Sequence, residues 1–166
     1  PKIIEGVYII SEDTFDENQN QTNSIFSEKW EEYDKEEISE QKKLFEFQKK
    51  WYLDLYGFNS EANFKEFLCS KKFILDAGCG LGYKAKWFSE LSPNAHVIGI
   101  DFSDAIFYAQ KRYSHVENLH FVKGDIADTK INDNCLDFVS CDQVIHHTED
   151  PFKTMKELTR ILKSKN

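Results

Sequence analysis

The apolar positions of the chain change their spacing near residue 71. Before that point they recur at helical intervals, from about Phe26 to Tyr56. Leu44, Phe47, Trp51 and Leu55 stand at i, i+3, i+7 and i+11, one face of a helix that Gly57 would end. A second, short helix is predicted behind Ser60 as its cap, carrying Phe64, Phe67 and Leu68. Beyond residue 71, short apolar runs alternate with helical patterns. FILDA, AHVIGID, LHFVKGD and CLDFVSCDQVI read as strands. Helices are expected around Tyr83–Leu91 and over SDAIFYAQKRY, where Ser103 is the cap and Ala105, Ile106, Ala109 and Tyr113 share a side. A last helix begins at Asp150-Pro151 and places Phe152, Met155, Leu158 and Leu162 along its length. Strands alternating with helices of this size mean right-handed βαβ units and a parallel sheet.

This grammar divides the chain into an extended, flexible leader over 1–25, a helical extension over 26–70 and an α/β core over 71–166. Residues 11–24, SEDTFDENQNQTNS, are nearly free of apolar anchors and read as a linker. The chain stops directly after a helix, where a parallel sheet expects another strand. The core therefore reads as C-terminally incomplete, and the open edge of the fourth strand as a surface through which copies could associate.

Composition narrows the class. Hydrophobic residues make up 40% and aromatic residues 14%, enough for a packed core. No apolar run approaches the roughly 18 residues of a membrane span, and PKIIEGVYII lacks the order of a signal peptide. Cys69, Cys79, Cys135 and Cys141 form no CxxC pair or zinc-ligand spacing, so they read as buried thiols of a cytoplasmic protein that holds no metal. The net charge of −8 lies wholly in residues 1–70, with 8 Lys against 16 Asp and Glu, whereas 71–166 balance at 13 each. An acidic arm beside a neutral core repels phosphate backbones and disfavours a nucleic-acid partner.

Three of the seven glycines, Gly78, Gly80 and Gly82, fall within five residues behind FILDA. At the carboxyl end of a parallel strand, amides and a helix N-terminus can converge on a polar ligand. Glycine there avoids a left-handed backbone cost of roughly 1–3 kcal/mol and leaves no Cβ to hold the ligand away. A tight turn without a ligand is the rival, although one glycine would serve it. A dinucleotide fingerprint needs glycine where Tyr83 stands, and a P-loop needs Gly-Lys-Ser/Thr where GYK stands.

What stands here is D-x-G-x-G-x-G, and LDAGCGLG resembles motif I of the class I S-adenosylmethionine-dependent methyltransferases, of the type 11-like kind. IGIDFSDAIFYAQKR resembles the family's second block, GDIAD its third, and FVSCDQVIHHTEDPFKTMKELTRILK its fourth, together spanning about residues 72–163. The resemblance implies a Rossmann-like, doubly wound parallel sheet with core strand order 3-2-1-4 in the part present. It also implies S-adenosyl-L-methionine as cofactor, S-adenosyl-L-homocysteine as product and in-line methyl transfer to a small-molecule O, N or C acceptor.

On the matching positions, the family's roles give Asp76, Gly78, Cys79, Gly80 and Gly82 to the cofactor turn and its amino-acid end. Asp101, 19 residues beyond Gly82, takes the ribose hydroxyls. Phe102 lies against the adenine face, with ordinary packing as its rival. Asp125 takes the adenine amino group and the Ile126 backbone a ring nitrogen, with a Gly-Asp turn as the rival. Asp142 and Gln143 follow strand four, where the methyl group meets its acceptor. His147 or His146 is a candidate general base there. As neighbours, the two would point apart if the strand continued. His96, His115 and His120 carry no role. FSEKWEEYD resembles a Phe-x-x-x-Trp segment that covers the cofactor in some relatives, so Phe26, Trp30 and Tyr33 are lid candidates, although a docking helix explains them equally. Two other classes stand beside this reading: a non-catalytic cofactor-binding or assembly module, and a nicotinamide-dependent oxidoreductase, which Tyr83 and the Gly124-Asp125 pair disfavour.

Overall fold

FILDA buries its last four residues completely or nearly so, because apolar side chains at consecutive strand positions face opposite sides of a sheet covered on both. The computed structural model describes residues 1–10, 24 and 38–164. Its strands are β1 (Lys2–Ile4), β2 (Val7–Ile9), β3 (Phe73–Ala77), β4 (His96–Asp101), β5 (Leu119–Lys123) and β6 (Phe138–Ser140). Its helices are α1 (Ile38–Leu55), α2 (Glu61–Cys69), α3 (Tyr83–Leu91), α4 (Ala105–Tyr113) and α5 (Pro151–Ile161), with a 3-10 turn at Ile145–His147.

The sheet runs β1-β2-β5-β4-β3-β6. Its four core strands are parallel in the order 3-2-1-4, the doubly wound arrangement expected from the alternation of strands and helices. Ile74 faces a core built with Phe64, Leu68, Trp87, Phe88 and Ile106, on the side of α1 to α4. Leu75 and Ala77 face the opposite core, with Ile100, Leu158 and Ile161, on the side of α5. All carboxyl ends of β3, β4, β5 and β6 therefore open on one edge, where the candidate site lies.

The first ten residues depart from the expected flexible leader. Glu5 (φ 50°) and Gly6 (φ 83°) turn β1 back on β2 as a two-residue hairpin, and β2 pairs in parallel with β5. Val7 is fully buried, so this segment belongs to the core. Residues 11–23 and the lid candidates Phe26, Trp30 and Tyr33 lie outside the described residues.

Helix α1 turns its predicted stripe outward. Leu44, Phe47, Trp51 and Leu55 are 39%, 66%, 44% and 51% exposed, while Tyr52 is 3% exposed and Phe45 and Leu53 pack inward. The helix carries apolar residues on two faces, and the inner one is chosen by aromatic contacts: the Tyr52 ring lies 5.6 Å from Phe64, 5.7 Å from Trp87 and 5.8 Å from Phe88. Helix α5 does the same on a smaller scale, burying Thr154, Leu158 and Ile161 and exposing Phe152 and Met155.

Most caps stand where the sequence placed them. Ser60 accepts from the Asn63 N–H at 3.2 Å, Gly57 ends α1 in the left-handed region, and Asp150 caps α5 ahead of Pro151. Ser103 is the exception. It lies one residue outside the Asp104 N-cap of α4 and turns its side chain to Asp101 instead. All four cysteines are free thiols, and Cys69 is exposed rather than buried. Among the described residues no helix is long and apolar enough to cross a membrane, and no three His, Cys, Asp or Glu could hold a metal.

Candidate functional site

Between β3 and α3 the chain turns through Gly78 (φ 76°), Gly80 (φ 51°) and Gly82 (φ 76°), left-handed conformations that favour glycine. The reason for two of them is the protein's own packing. A Cβ at Gly78 would lie 2.5 Å from Val144, and one at Gly82 would lie 2.8 Å from Phe121. Four amides of the turn are also spent internally rather than left open to a ligand. Gly78 and Cys79 donate to the Ile100 carbonyl, Gly80 to the Asp101 carboxylate and Gly82 to the Cys79 carbonyl. The glycines thus hold the turn tightly against β4, and the side chains around it carry the polarity of the site.

Two acids stand at the ends of neighbouring strands. Asp101, ending β4, is 6% exposed. Its Oδ2 accepts from the Gly80 N–H at 2.7 Å, and its Oδ1 accepts from the Ser103 N–H and hydroxyl at 2.9 and 2.6 Å. Burial pushes its carboxyl up, against the pull of these donors. Asp76, one residue before the end of β3, is fully buried; among the described residues no side chain hydrogen-bonds to its oxygens, and the Ala85 amide gives them only weak support. Burial raises its carboxyl to about 6, with the Lys84 ammonium opposing the rise.

The opposite wall follows β6. Asp142 is held from both sides: Lys84, in the first turn of α3, donates to Oδ2 at 3.0 Å and to the Asp142 carbonyl at 3.3 Å, while the Tyr56 hydroxyl donates to Oδ1 at 3.0 Å. The buried Tyr52 hydroxyl meets Ser140 Oγ at 3.1 Å, tying α1 to the same strand. The chain then leaves the strand direction. Gln143 takes a φ of 62°, and Ile145–His147 form the 3-10 turn that brings the His146 and His147 rings together, tilted 45° with centroids 4.0 Å apart. The histidines therefore do not point apart as a continued strand would require.

These elements enclose a cleft of about 360 Å³. Of the residues expected at the site, Gly78, Cys79, Asp101, Phe102, Asp125, Ile126, Asp142, Gln143, His146 and His147 line it. Asp76, Gly80 and Gly82 stand behind that lining. Asp125 also closes a turn through the Ala127 N–H at 2.8 Å, so its rival structural role is present as well. The Cys79 thiol is pushed up by burial, and that of Cys141, reached from the same strand end, to about 11, which keeps both protonated.

The sequence left Gln48, Trp51, Tyr83, Lys84, Val144 and Thr148 out of the site, and all of them line the cleft. Tyr83 and Lys84 were within reach, standing directly after the third glycine. Gln48 and Trp51 carry no local signal, because they reach the cleft only through the docking of α1.

Comparisons with known proteins agree with this architecture. Residues 75–165 match the family model described as a methyltransferase domain. A probable S-adenosylmethionine-dependent methyltransferase of Mycolicibacterium smegmatis is 32% identical over 96 residues, 57% of this chain and 35% of its own length. A demethylmenaquinone methyltransferase of Staphylococcus carnosus is 32% identical over 94 residues, 54% of this chain and 38% of its own. Among solved structures, a proposed S-adenosyl-L-methionine-dependent methyltransferase from Methanococcus maripaludis aligns with a TM-score of 0.58 at 24% identity, over 74% of this chain and 57% of that one, a likeness of fold. The chain spans about a third of the length of the curated relatives it matches.

Proposed function

Since the chain belongs to the class I S-adenosylmethionine-dependent methyltransferases, we propose that its cleft binds S-adenosyl-L-methionine and presents it to a small-molecule O, N or C acceptor. The observation that carries this reading is the Asp76 carboxylate, fully buried beside the glycine turn, where no side chain hydrogen-bonds to it and only the Lys84 charge and the Ala85 amide oppose the cost of its burial. A buried charge so weakly compensated is costly, and a cationic ligand offsets that cost. The lining has the same bias: Asp101, Asp125 and Asp142 outnumber the cation Lys84.

The residues present fit the cofactor. Asp101 is fixed by Gly80 and Ser103, yet a carboxylate has about four acceptor sites, which leaves room for ribose hydroxyls. Phe102 and Ile126 offer apolar surface for a planar base, and Asp125 an acceptor beside it. The cofactor supplies an already activated sulfonium methyl group, so the chain's contribution is alignment and exclusion of water. Alignment of this kind accounts for about 7–11 kcal/mol of barrier in well-oriented reactions. His146 and His147, on the turn after β6, face the cleft where an acceptor would enter. Either imidazole can take the proton released by a hydroxyl or amine acceptor.

S-adenosylhomocysteine should raise the melting temperature. At a hundredfold excess over its dissociation constant the stabilisation is about 2.7 kcal/mol, and Asp101→Ala abolishes it. A wild-type melting curve that S-adenosylhomocysteine leaves unchanged would count against the assignment. A methyl-transfer screen over hydroxylated and amino metabolites then identifies the acceptor.

A further inference from the structure

Helix α1 keeps an apolar stripe in water. Leu44, Phe47, Trp51 and Leu55 stand exposed along about 16 Å of it, at a rise of about 1.5 Å per residue. The helix does not depend on them for docking, because its inner face is held by Tyr52 among Phe64, Trp87 and Phe88. One border of the stripe is charged, with Lys50 and Asp54 paired at 2.6 Å. The other border is Gln48, which lines the cleft. A contiguous apolar surface with a polar rim marks a place where apolar matter is received.

Where the stripe leads decides what it receives. Trp51 belongs to both surfaces, as the third member of the stripe and as a lining residue of the cleft. Stripe and cleft are therefore one continuous surface, polar where Asp142, His146 and His147 stand and apolar along α1. Their relative position is fixed, since Tyr52 meets Ser140 at 3.1 Å and Tyr56 holds Asp142 at 3.0 Å. Other occupants fit less well. Four part-exposed side chains on one helix fall well short of the about 800 Å² per partner that a stable dimer buries. An anionic bilayer surface is repelled by the excess of acidic side chains in residues 1–70.

We infer that the methyl acceptor is amphiphilic, a hydroxylated or amino head carried on an apolar chain that lies along Leu44, Phe47, Trp51 and Leu55. This rests on the cofactor reading above and narrows its acceptor to one class. The head enters the cleft and brings the reacting atom to the histidines. The chain stays on α1, outside the cleft, and crosses its margin at Trp51. Each methylene fully withdrawn from water there tightens binding by about fourfold. The chain is held equally before and during methyl transfer, so it sets the affinity for the acceptor and leaves the chemical step to the head.

Alkyl 4-hydroxybenzoates share one hydroxylated head and differ only in chain length, so their binding, measured by calorimetry in excess S-adenosylhomocysteine, tests the stripe. The octyl ester should bind at least about tenfold more tightly than the butyl ester. In the double variant Phe47→Ser with Leu55→Ser that gain should shrink to within about twofold. Its affinity for S-adenosylhomocysteine should not change, because neither side chain lines the cleft. Phe47→Leu with Leu55→Met, which keeps the stripe apolar, should keep the gain. The inference is overturned if the wild type gains nothing from chain length, or if the double serine variant gains as much. It is also overturned if light scattering finds a dimer that the serine variant dissolves, since a second copy then covers the stripe. If the wild type shows the gain but does not bind S-adenosylhomocysteine, it is the cofactor reading that fails.

Discussion

Asp76 sets the pH behaviour of the site. Its folded-state value of about 6 lies above the ordinary 3.8, so the folded protein holds the proton more tightly than the unfolded chain. That contribution favours folding fully below 3.8 and is lost as pH rises through about 6. At pH 8 the ionised carboxylate therefore costs on the order of 3 kcal/mol. Asp76→Asn should stabilise the ligand-free protein against urea at pH 8 by about that amount, and change little at pH 4. The same substitution should weaken S-adenosylhomocysteine. Equal effects on stability at the two pH values would mean that the carboxylate is paired in solution.

At the scale of elements, α1 shows how two apolar faces on one helix part company. Tyr52 sits among Phe64, Trp87 and Phe88 with its hydroxyl on Ser140, whereas Phe47 is 66% exposed. Tyr52→Ala should cost about 3–5 kcal/mol in urea unfolding. Phe47→Ala, on the outward stripe of the same helix, should stay within about 0.5 kcal/mol. The contrast is a test of which face is buried, since similar losses would place the predicted stripe inside. α1 also carries Tyr56 to Asp142 and Trp51 to the cleft, so loosening this helix would disturb the site as well as the core.

At the scale of the molecule, the hairpin of β1 and β2 extends the sheet beyond β5. β2 pairs with the end of β5 through Tyr8 with Val122 and Ile9 with Lys123, and the Ile10 N–H donates to the Lys123 carbonyl at 3.1 Å. The next residues, Gly124 and Asp125, lead into the cleft. Deleting residues 1–10 should speed hydrogen exchange at the β5 amides, while β3, flanked on both sides, stays protected. Unchanged exchange at β5 would mean that the hairpin adds nothing to the strand's stability. The hairpin thus supports the wall that presents Asp125, far from its own position in the sequence.

Local order was written in the residues themselves. The alternation of apolar runs and helical patterns determined β3 to α5 in type and sequence. The glycine cluster marked the turn, and Gly57, Ser60 and Asp150 marked helix ends, because each acts on backbone within a few residues of itself. Partnership was decided only by the tertiary structure. Ser103 read as a cap but serves Asp101, and four of the turn's amides read as open but bond within the fold. Which face of α1 is buried, where the hairpin docks, how both histidines reach one cleft and that Lys84 meets Asp142 all depend on packing between distant segments. A sequence records what each residue favours near itself, whereas contacts across the fold are chosen by the whole core at once.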